Sequence, residues 1–307
     1  MNILIHATLY PEGKTDKRQN TTLFMHYYAA EWVRAGHDVL VLHHKVSFPR
    51  QMVRLGRALS ERLPGLERAR DYLNGYGDDE DLDFARDGVQ ICRRTVHKIV
   101  PRTLFPGRVI ARRAQMAQSE LEKRGFSPDA VVCDFINPGL FIALAMRKEV
   151  KAPVVAILHN TCMEYFARPV TSAPALAAVR AADKLAFRSA GFQARFAQSY
   201  FAPKKCFLMP SGVPRALVRP PEQLSPRTRV RRFLCACRHV PTKHVDAVIR
   251  AFGMLDAGDA SLTIAGDGVQ RAELEDLAAR QKNAALIRFT GVLPRAQLLK
   301  LMEQSDC

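Results

Sequence analysis

From Arg231 onward, short apolar runs alternate with amphipathic stretches of helical period, and that alternation is compatible with few folds other than a layered α/β sheet. Arg232-Phe233-Leu234-Cys235-Ala236-Cys237 reads as a strand, followed by a basic loop, Arg238-His239-Val240-Pro241-Thr242-Lys243, and an amphipathic helix. Ser261-Leu262-Thr263-Ile264-Ala265 is a second strand. It leads through Gly266-Asp267-Gly268 into another helix, and a third strand runs into Gly291. A short helix, Gln297 to Met302, precedes the last residues. Strand and helix units in this order build a parallel sheet covered on both faces. The chain ends after the third unit, so this half is expected to be incomplete, with an unpaired sheet edge and without some of its ligand-binding loops.

The N-terminal part repeats the pattern. Ile3-Leu4-Ile5 is a strand, and a polar loop covers Pro11 to Thr21. Thr22 to Arg34 places Leu23, Tyr27 and Ala30 at helical spacing, Gly36 supplies a left-handed helix terminus, and Val39-Leu40-Val41-Leu42 is the next strand. Ala130–Cys133, Pro153–Leu158 and Cys206–Met209 are further runs of buried-strand type. Between Lys45 and Gly77 the pattern weakens. Met52, Leu55, Leu59, Leu63 and Leu66 share one side of a helix, with Arg50, Arg54, Arg57 and Arg68 opposite. Such a segment either lies on a membrane surface or covers a core. The proline-containing stretch Arg215 to Arg229 has no periodicity and reads as a linker, which predicts two domains, 1–220 and 221–307.

A hydrophobic content of 48% supports cores in both parts. No apolar run reaches the roughly 20 residues that span a bilayer, and the opening Met1-Asn2-Ile3-Leu4-Ile5-His6 reads as a strand rather than a signal peptide. The seven cysteines are scattered, with no Cys-x-x-Cys pair, and read as reduced structural thiols of a cytosolic protein. The net charge of +16 is uneven. Residues 221–307 carry 13 Lys/Arg and 10 Asp/Glu, which leaves +13 on residues 1–220. Nine basic residues fall between 93 and 124 (Arg93, Arg94, Lys98, Arg102, Arg108, Arg112, Arg113, Lys123 and Arg124), against Glu120 and Glu122. A local basic surface suits an anionic lipid, a phosphate-bearing acceptor or nucleic acid, or else forms a solvated helical face. Nucleic acid is disfavoured: no binding motif is present, and Trp32, the one tryptophan, falls in a core-type helix. No chemistry attaches to the acidic run Asp78-Asp79-Glu80-Asp81.

In order along the chain, several segments resemble the retaining glycosyltransferases of family 4, which have the GT-B fold. In the first domain these are the opening strand, Gly36-His37-Asp38-Val39, Pro128–Val132, Ala152–Val155 leading to His159, Ala182-Asp183-Lys184 to Ser189, and Met209-Pro210-Ser211-Gly212-Val213. In the second they are Arg238 and Lys243 before the Val245–Phe252 helix, Leu262–Gly268, and Arg288-Phe289-Thr290-Gly291-Val292. The resemblance implies an α/β protein of GT-B architecture, with two Rossmann-like domains facing across a cleft. The second domain would hold a nucleotide-sugar donor and the first an acceptor.

Within the resemblance, Arg238 and Lys243 match the family's diphosphate-binding cations. Fixed cations and helix N-terminal N–H groups aimed at the departing diphosphate stabilise the transition state. They can replace a divalent metal, and no Asp-x-Asp occurs with them in the second domain, so no metal and no other cofactor is expected. His159 falls where the family places a histidine beside the donor sugar, the alternative being a buried structural histidine. Gly266 and Gly268 would let backbone approach the ligand, and Gly291 and Val292 would lie near the nucleobase. The first loop reads Lys17-Arg18-Gln19-Asn20-Thr21-Thr22 where many members carry Gly-Gly, so phosphate contacts there would come from side chains or from the Asn20 and Thr21 amides. The family's Glu-x7-Glu element would fall beyond residue 307. The expected activity is sugar transfer with retention to a lipid-linked or saccharide acceptor in surface polysaccharide or glycolipid synthesis. It would take place in the cytoplasm, at the inner membrane face, on an anionic surface. The competing expectation is a non-catalytic remnant that binds such a membrane or a partner through its basic N-terminal domain.

Overall fold

The computed structural model describes residues 1–11, 23–62, 80–100, 103–213, 217–218 and 229–307. The chain divides into two compact units, Met1–Val218 and Arg219–Cys307. The expected linker lies mostly outside the described residues, as do Asn20, Thr21 and the end of the Lys45–Gly77 segment.

In the first unit, β1 (Asn2–Ala7), α1 (Phe24–Arg34) and β2 (Asp38–Ser47) form the predicted opening, with Gly36 at φ +85° closing the helix. Next come α2 (Arg50–Arg62), an antiparallel pair β3 (Leu82–Arg86) and β4 (Val89–His97), and the long helix α3 (Gly107–Arg124). The remaining elements are β5 (Ala130–Asp134), α4 (Phe141–Ala145), β6 (Val154–Leu158), α5 (Met163–Phe166), α6 (Pro169–Ala181), β7 (Lys184–Phe187), α7 (Ala190–Ser199) and β8 (Cys206–Leu208). The eight strands lie in the order β3-β4-β2-β1-β5-β6-β7-β8, and every neighbouring pair except β3·β4 is parallel. Strand alternation divides the core. Leu4, Leu40, Leu42, Val131 and Cys133 enter the layer on one face of the sheet. Ile3, Ile5, Val39, Val41 and Val132 enter the layer on the other. Burying each such aliphatic side chain stabilises by about 1.5–3 kcal/mol, so burial on both faces is what fixes the period-two register.

The basic cluster at 93–124 is spread over β4, α3 and the segment between them, and part of it is turned inward or paired, while Arg108, Arg112 and Lys123 are exposed. Buried Arg93 donates to the Glu80 carbonyl (3.1 Å), while Arg94 pairs with Asp83 (2.6 Å) and Glu120 (3.0 Å). Arg124 joins the same two carboxylates, and Arg113 donates to the Thr95 carbonyl. Lys98 donates to the Thr103 carbonyl, and burial pushes its pKa down to about 8. Asp83, Cys92 and Glu120 converge closely enough to suggest a metal site. Arg94 and Arg124 already neutralise both carboxylates there, and burial pushes the Cys92 thiol up to about 12, so the group is an ion-pair network.

In the second unit, β9 (Arg232–Ala236), α8 (Val245–Gly253), β10 (Ser261–Ala265), α9 (Arg271–Ala279), β11 (Ile287–Gly291) and α10 (Arg295–Gln304) give a three-stranded parallel sheet ordered β11-β10-β9. Val245, Ile249 and Phe252 project from one side of α8 onto Leu262 and Ile264 of β10. Among the described residues β11 has no strand on its outer side, as expected, but the opposite side of the sheet is covered. The β9 side of this sheet is not an open edge, because Asp306 N–H and Leu234 N–H pair with the Arg232 and Cys307 carbonyls (2.7 and 2.8 Å). Asp306 Oδ2 also accepts from the Arg231 and Arg232 amides (2.9 and 2.8 Å). The Arg232 guanidinium and these amides hold the Asp306 carboxyl well below the usual carboxylate range. Its contribution is therefore present above that range and lost as pH falls through the depressed value.

Candidate active site

In a doubly wound sheet, ligands bind beyond the C-terminal strand ends, at the point where the strand order reverses. In the first unit that point lies between β1 and β5, where Ala7 is in register with Asp134. Asp134 is fully buried, and its Oδ1 lies 2.7 Å from Nε2 of His159, which follows the end of β6. A carboxylate accepting from Nε2–H leaves Nδ1 of a neutral imidazole as an acceptor. The ring is clamped as well. Phe135, at φ +75°, stacks on it at 4.0 Å and 12°, and Phe24 of α1 meets it edge-on at 5.9 Å.

His159 is thus held like a structural residue, yet its side chain stays 13% exposed at the strand ends. Its backbone N–H donates to Cys162 Sγ (3.4 Å), and burial pushes that thiol up to about 12, which rules it out as a ready nucleophile. Arg188, just past β7, lies over the Phe24 ring at 3.3 Å and donates to Ser211. Burial lowers the Arg188 pKa, partly offset by the charge of Asp134. Asp134 and Arg188 are members of this cluster that sequence reasoning missed. The available signals were a charged residue closing the apolar run Val131-Val132-Cys133-Asp134 and a cation closing Leu185-Ala186-Phe187-Arg188.

Among the described residues Asp134 Oδ2 is buried without a hydrogen-bond partner, and His159 is the group that satisfies this carboxylate. Removing the donor of a buried hydrogen bond leaves the acceptor unsatisfied, at a cost of about 1–3 kcal/mol and more for a charged group. His159→Ala is accordingly expected to destabilise the first unit by about 3 kcal/mol, and His159→Ala with Asp134→Ala by less than His159→Ala alone. Urea unfolding followed by near-ultraviolet circular dichroism checks the order. Equal stability of His159→Ala and the parent would refute the pairing argument.

In the second unit, three strand ends are knitted together. Cys237 N–H donates to the Ala265 carbonyl (3.0 Å), His239 N–H to the Asp267 carbonyl (2.9 Å), and Gly266 N–H to the Gly291 carbonyl (2.8 Å). Gly266 and Gly268, at φ +131° and +159°, permit this. A Cβ on Gly266 would stand 1.9 Å from the Cys237 carbonyl oxygen, and one on Gly268 would stand 2.4 Å from that of His239. The close approach made here is therefore between the two loops. His239 is fully buried, its ring 6.0 Å from Phe289, and burial lowers its pKa. On either side of it the chain turns outward. Arg238 follows β9, and Lys243 ends the turn Pro241–Lys243, which leads through His244, at φ +50°, into α8. Both are exposed, and among the described residues neither side chain has a hydrogen bond or ion pair. Gly291, at φ +71°, ends β11, and Val292 beside it is 49% exposed. The structure thus gathers Arg238, Lys243, Gly266, Gly268, Gly291 and Val292 at one end of the second sheet. His159 stands at the strand ends of the first.

Residues 22–212 match the glycosyl transferase 4-like domain, and residues 221–307 match glycosyl transferases group 1. No curated protein sequence matches significantly. Among solved structures, trehalose-6-phosphate synthase OtsA is similar at 13% identity and TM-score 0.65, covering 100% of this chain and 77% of its own. Sucrose-phosphate synthase from Thermosynechococcus elongatus is similar at 14% identity and TM-score 0.62, over 97% of this chain and 72% of its own. HepE of Anabaena, solved with UDP and glucose, is similar at 15% identity and TM-score 0.59, over 99% of this chain and 72% of its own. These likenesses show the fold, an α/β GT-B architecture with parallel sheets, three-stranded in the second unit. With its 4-like domain spanning residues 22–212 and the group 1 domain following it, the chain belongs to the glycosyl transferase group 1 family.

Proposed function

We propose that the chain transfers a sugar from a nucleoside-diphosphate donor to a lipid-linked or saccharide acceptor, with retention and without a divalent metal, at the cytoplasmic face of a membrane in polysaccharide or glycolipid synthesis. The observation that carries this reading is the pair of exposed cations, Arg238 and Lys243, without a partner among the described residues, at the C-terminal end of the second unit's sheet. Breaking the anomeric C–O bond leaves a diphosphate with new negative charge. Cations fixed before the bond breaks stabilise that charge without reorganising. The similar trehalose-phosphate synthase of E. coli was solved with UDP-2-fluoro glucose, and HepE with UDP-glucose, which supports a uridine nucleotide as the first donor to test. His159, still 13% exposed at the strand ends, is the first unit's candidate for a donor-sugar hydroxyl.

The membrane location rests on the basic first unit. No helix among the described residues is long and apolar enough to cross a bilayer. The test is calorimetric titration with UDP, with and without EDTA, followed by transfer from UDP-glucose to anionic lipid extracts. The anomeric configuration of the product is then read by NMR. Micromolar UDP binding that EDTA leaves unchanged, together with an α-linked product, is the expected result. Binding that needs a divalent ion would overturn the metal-free reading, an inverted product would overturn retention, and binding without any transfer would favour the non-catalytic alternative.

A further inference from the structure

Once the inward-facing members of the basic cluster are set aside, an open cavity of about 590 Å³ remains in the first unit, between the end of β4 and the start of α3. Arg108, Arg112, Arg113 and His97 line it together with Val96, Val109 and Met116, and Asp81 supplies its one carboxylate. Asp81 is already engaged, since its Oδ1 accepts from the Thr95 amide (2.7 Å). Arg113 is anchored on the Thr95 carbonyl, whereas Arg108 and Arg112 are exposed and have no partner among the described residues. Three guanidinium groups around one cavity repel each other: burial lowers the Arg113 pKa, the Asp81 charge partly offsets this, and Arg112 lowers it again. An anion bearing several oxygens relieves that repulsion through forked N–H contacts.

Beside these charges the wall carries Val96, Val109 and Met116, and exposed apolar residues follow His97 in the chain. Met116 is 38% exposed, and Ile99 and Val100, directly after β4, are 68% and 56% exposed. A free phosphate ester would have no use for that surface. We propose that this groove binds the phosphate or diphosphate headgroup of an amphiphile, with Arg108, Arg112 and Arg113 on the phosphate and Val109, Met116, Ile99 and Val100 against the start of its apolar chain. Resting on the glycosyltransferase reading, the groove is where a lipid-phosphate acceptor or an anionic bilayer lipid engages the first unit. The binding itself needs neither donor nor catalysis.

The test measures binding by the whole chain to vesicles of phosphatidylcholine doped with phosphatidic acid, to dodecyl phosphate, and to inorganic pyrophosphate. The variants are Arg108→Gln with Arg112→Gln, Met116→Asp, and a charge-matched control, Lys204→Gln with Lys205→Gln, two exposed lysines outside the groove. The double arginine variant is expected to lose roughly tenfold or more in affinity for both amphiphiles. Met116→Asp should weaken dodecyl phosphate while sparing pyrophosphate, and the lysine control should stay within about twofold of the parent. Equal losses in the lysine control would reduce the effect to net charge and overturn the groove. Pyrophosphate binding lost in the arginine variant, with no preference for dodecyl phosphate over pyrophosphate, would assign the groove to a soluble phosphate and overturn the amphiphile. A preference for vesicles over dodecyl phosphate identifies the bilayer as the source, and the reverse identifies a single extracted lipid. Both outcomes support the proposal. Because UDP is absent throughout, failure here leaves the donor-site reading standing.

Discussion

Arg238→Ala is expected to weaken UDP binding roughly ten- to hundred-fold, and Lys243→Ala to do the same, with little change in thermal stability. Each cation, if it holds a phosphate oxygen, contributes a charged hydrogen bond of about 1.5–3 kcal/mol, and tenfold corresponds to about 1.4 kcal/mol. Stability should be spared because neither side chain has a partner within the protein among the described residues. Arg271 provides the contrast within the same unit. Its guanidinium pairs with Glu275 at 2.8 Å and reaches the Gly266 carbonyl, so its removal should disturb the loop as well as the charge. Arg238→Lys keeps the charge but loses the planar fork, and should fall between parent and alanine. If the losses in transfer exceed the losses in UDP affinity, the excess measures what the cations do for the transition state alone. Calorimetry on parent and variants decides the matter. Unchanged UDP affinity in the Arg238→Ala, Lys243→Ala double variant would remove both residues from the donor site.

The alternation of strand and helix was plain in the sequence wherever both faces of a strand are apolar. Thus β1, β2, β5, β6, β9 and β10 fall on the expected runs to within a few residues. The hairpin β3–β4 was not legible. Its strands carry Asp83, Arg86, Arg93 and Arg94, charges that a pattern of buried strands excludes, and they are tolerated because Arg94 and Arg124 pair with Asp83 and Glu120. Asp87-Gly88 at the turn, both with positive φ, was the available cue. The same pairing explains why the density of basic residues at 93–124 overstates the surface charge. Sequence counts cations but not their partners. The position of Arg238 and Lys243, between a strand and a helix, was readable from the sequence. Asp134, far from His159 in sequence, meets it only because β5 and β6 are neighbours. The paired β9 edge was likewise invisible, because it depends on Asp306 and Cys307 turning back along Arg232 and Leu234.

Gly266→Ala should be the most damaging single methyl addition in the second unit, costing about 4 kcal/mol or more, a value reached by few substitutions. The added Cβ would overlap the Cys237 carbonyl oxygen at 1.9 Å, and that oxygen belongs to a strand end fixed by its own hydrogen bond to β10, so neither side can yield cheaply. A side chain also strains the backbone at φ +131°. Gly268→Ala should follow closely, with its Cβ 2.4 Å from the His239 carbonyl oxygen and 2.9 Å from the His239 nitrogen. Gly291→Ala is the internal control. It also has positive φ, but its nearest neighbour is the mobile end of Arg271 at 3.4 Å, so the cost should be only the about 1–2 kcal/mol of a left-handed alanine. Since whole domains are stable by about 5–15 kcal/mol, the first two variants should leave much of the second unit open to hydrogen exchange while the amides of β1 and β5 stay protected. UDP binding should vanish with them, because Arg238 and His239 sit on the displaced loop. The three glycines differ in what stands behind them, so a ranking in which Gly291→Ala matches or exceeds Gly266→Ala would show that the two loops do not meet as described.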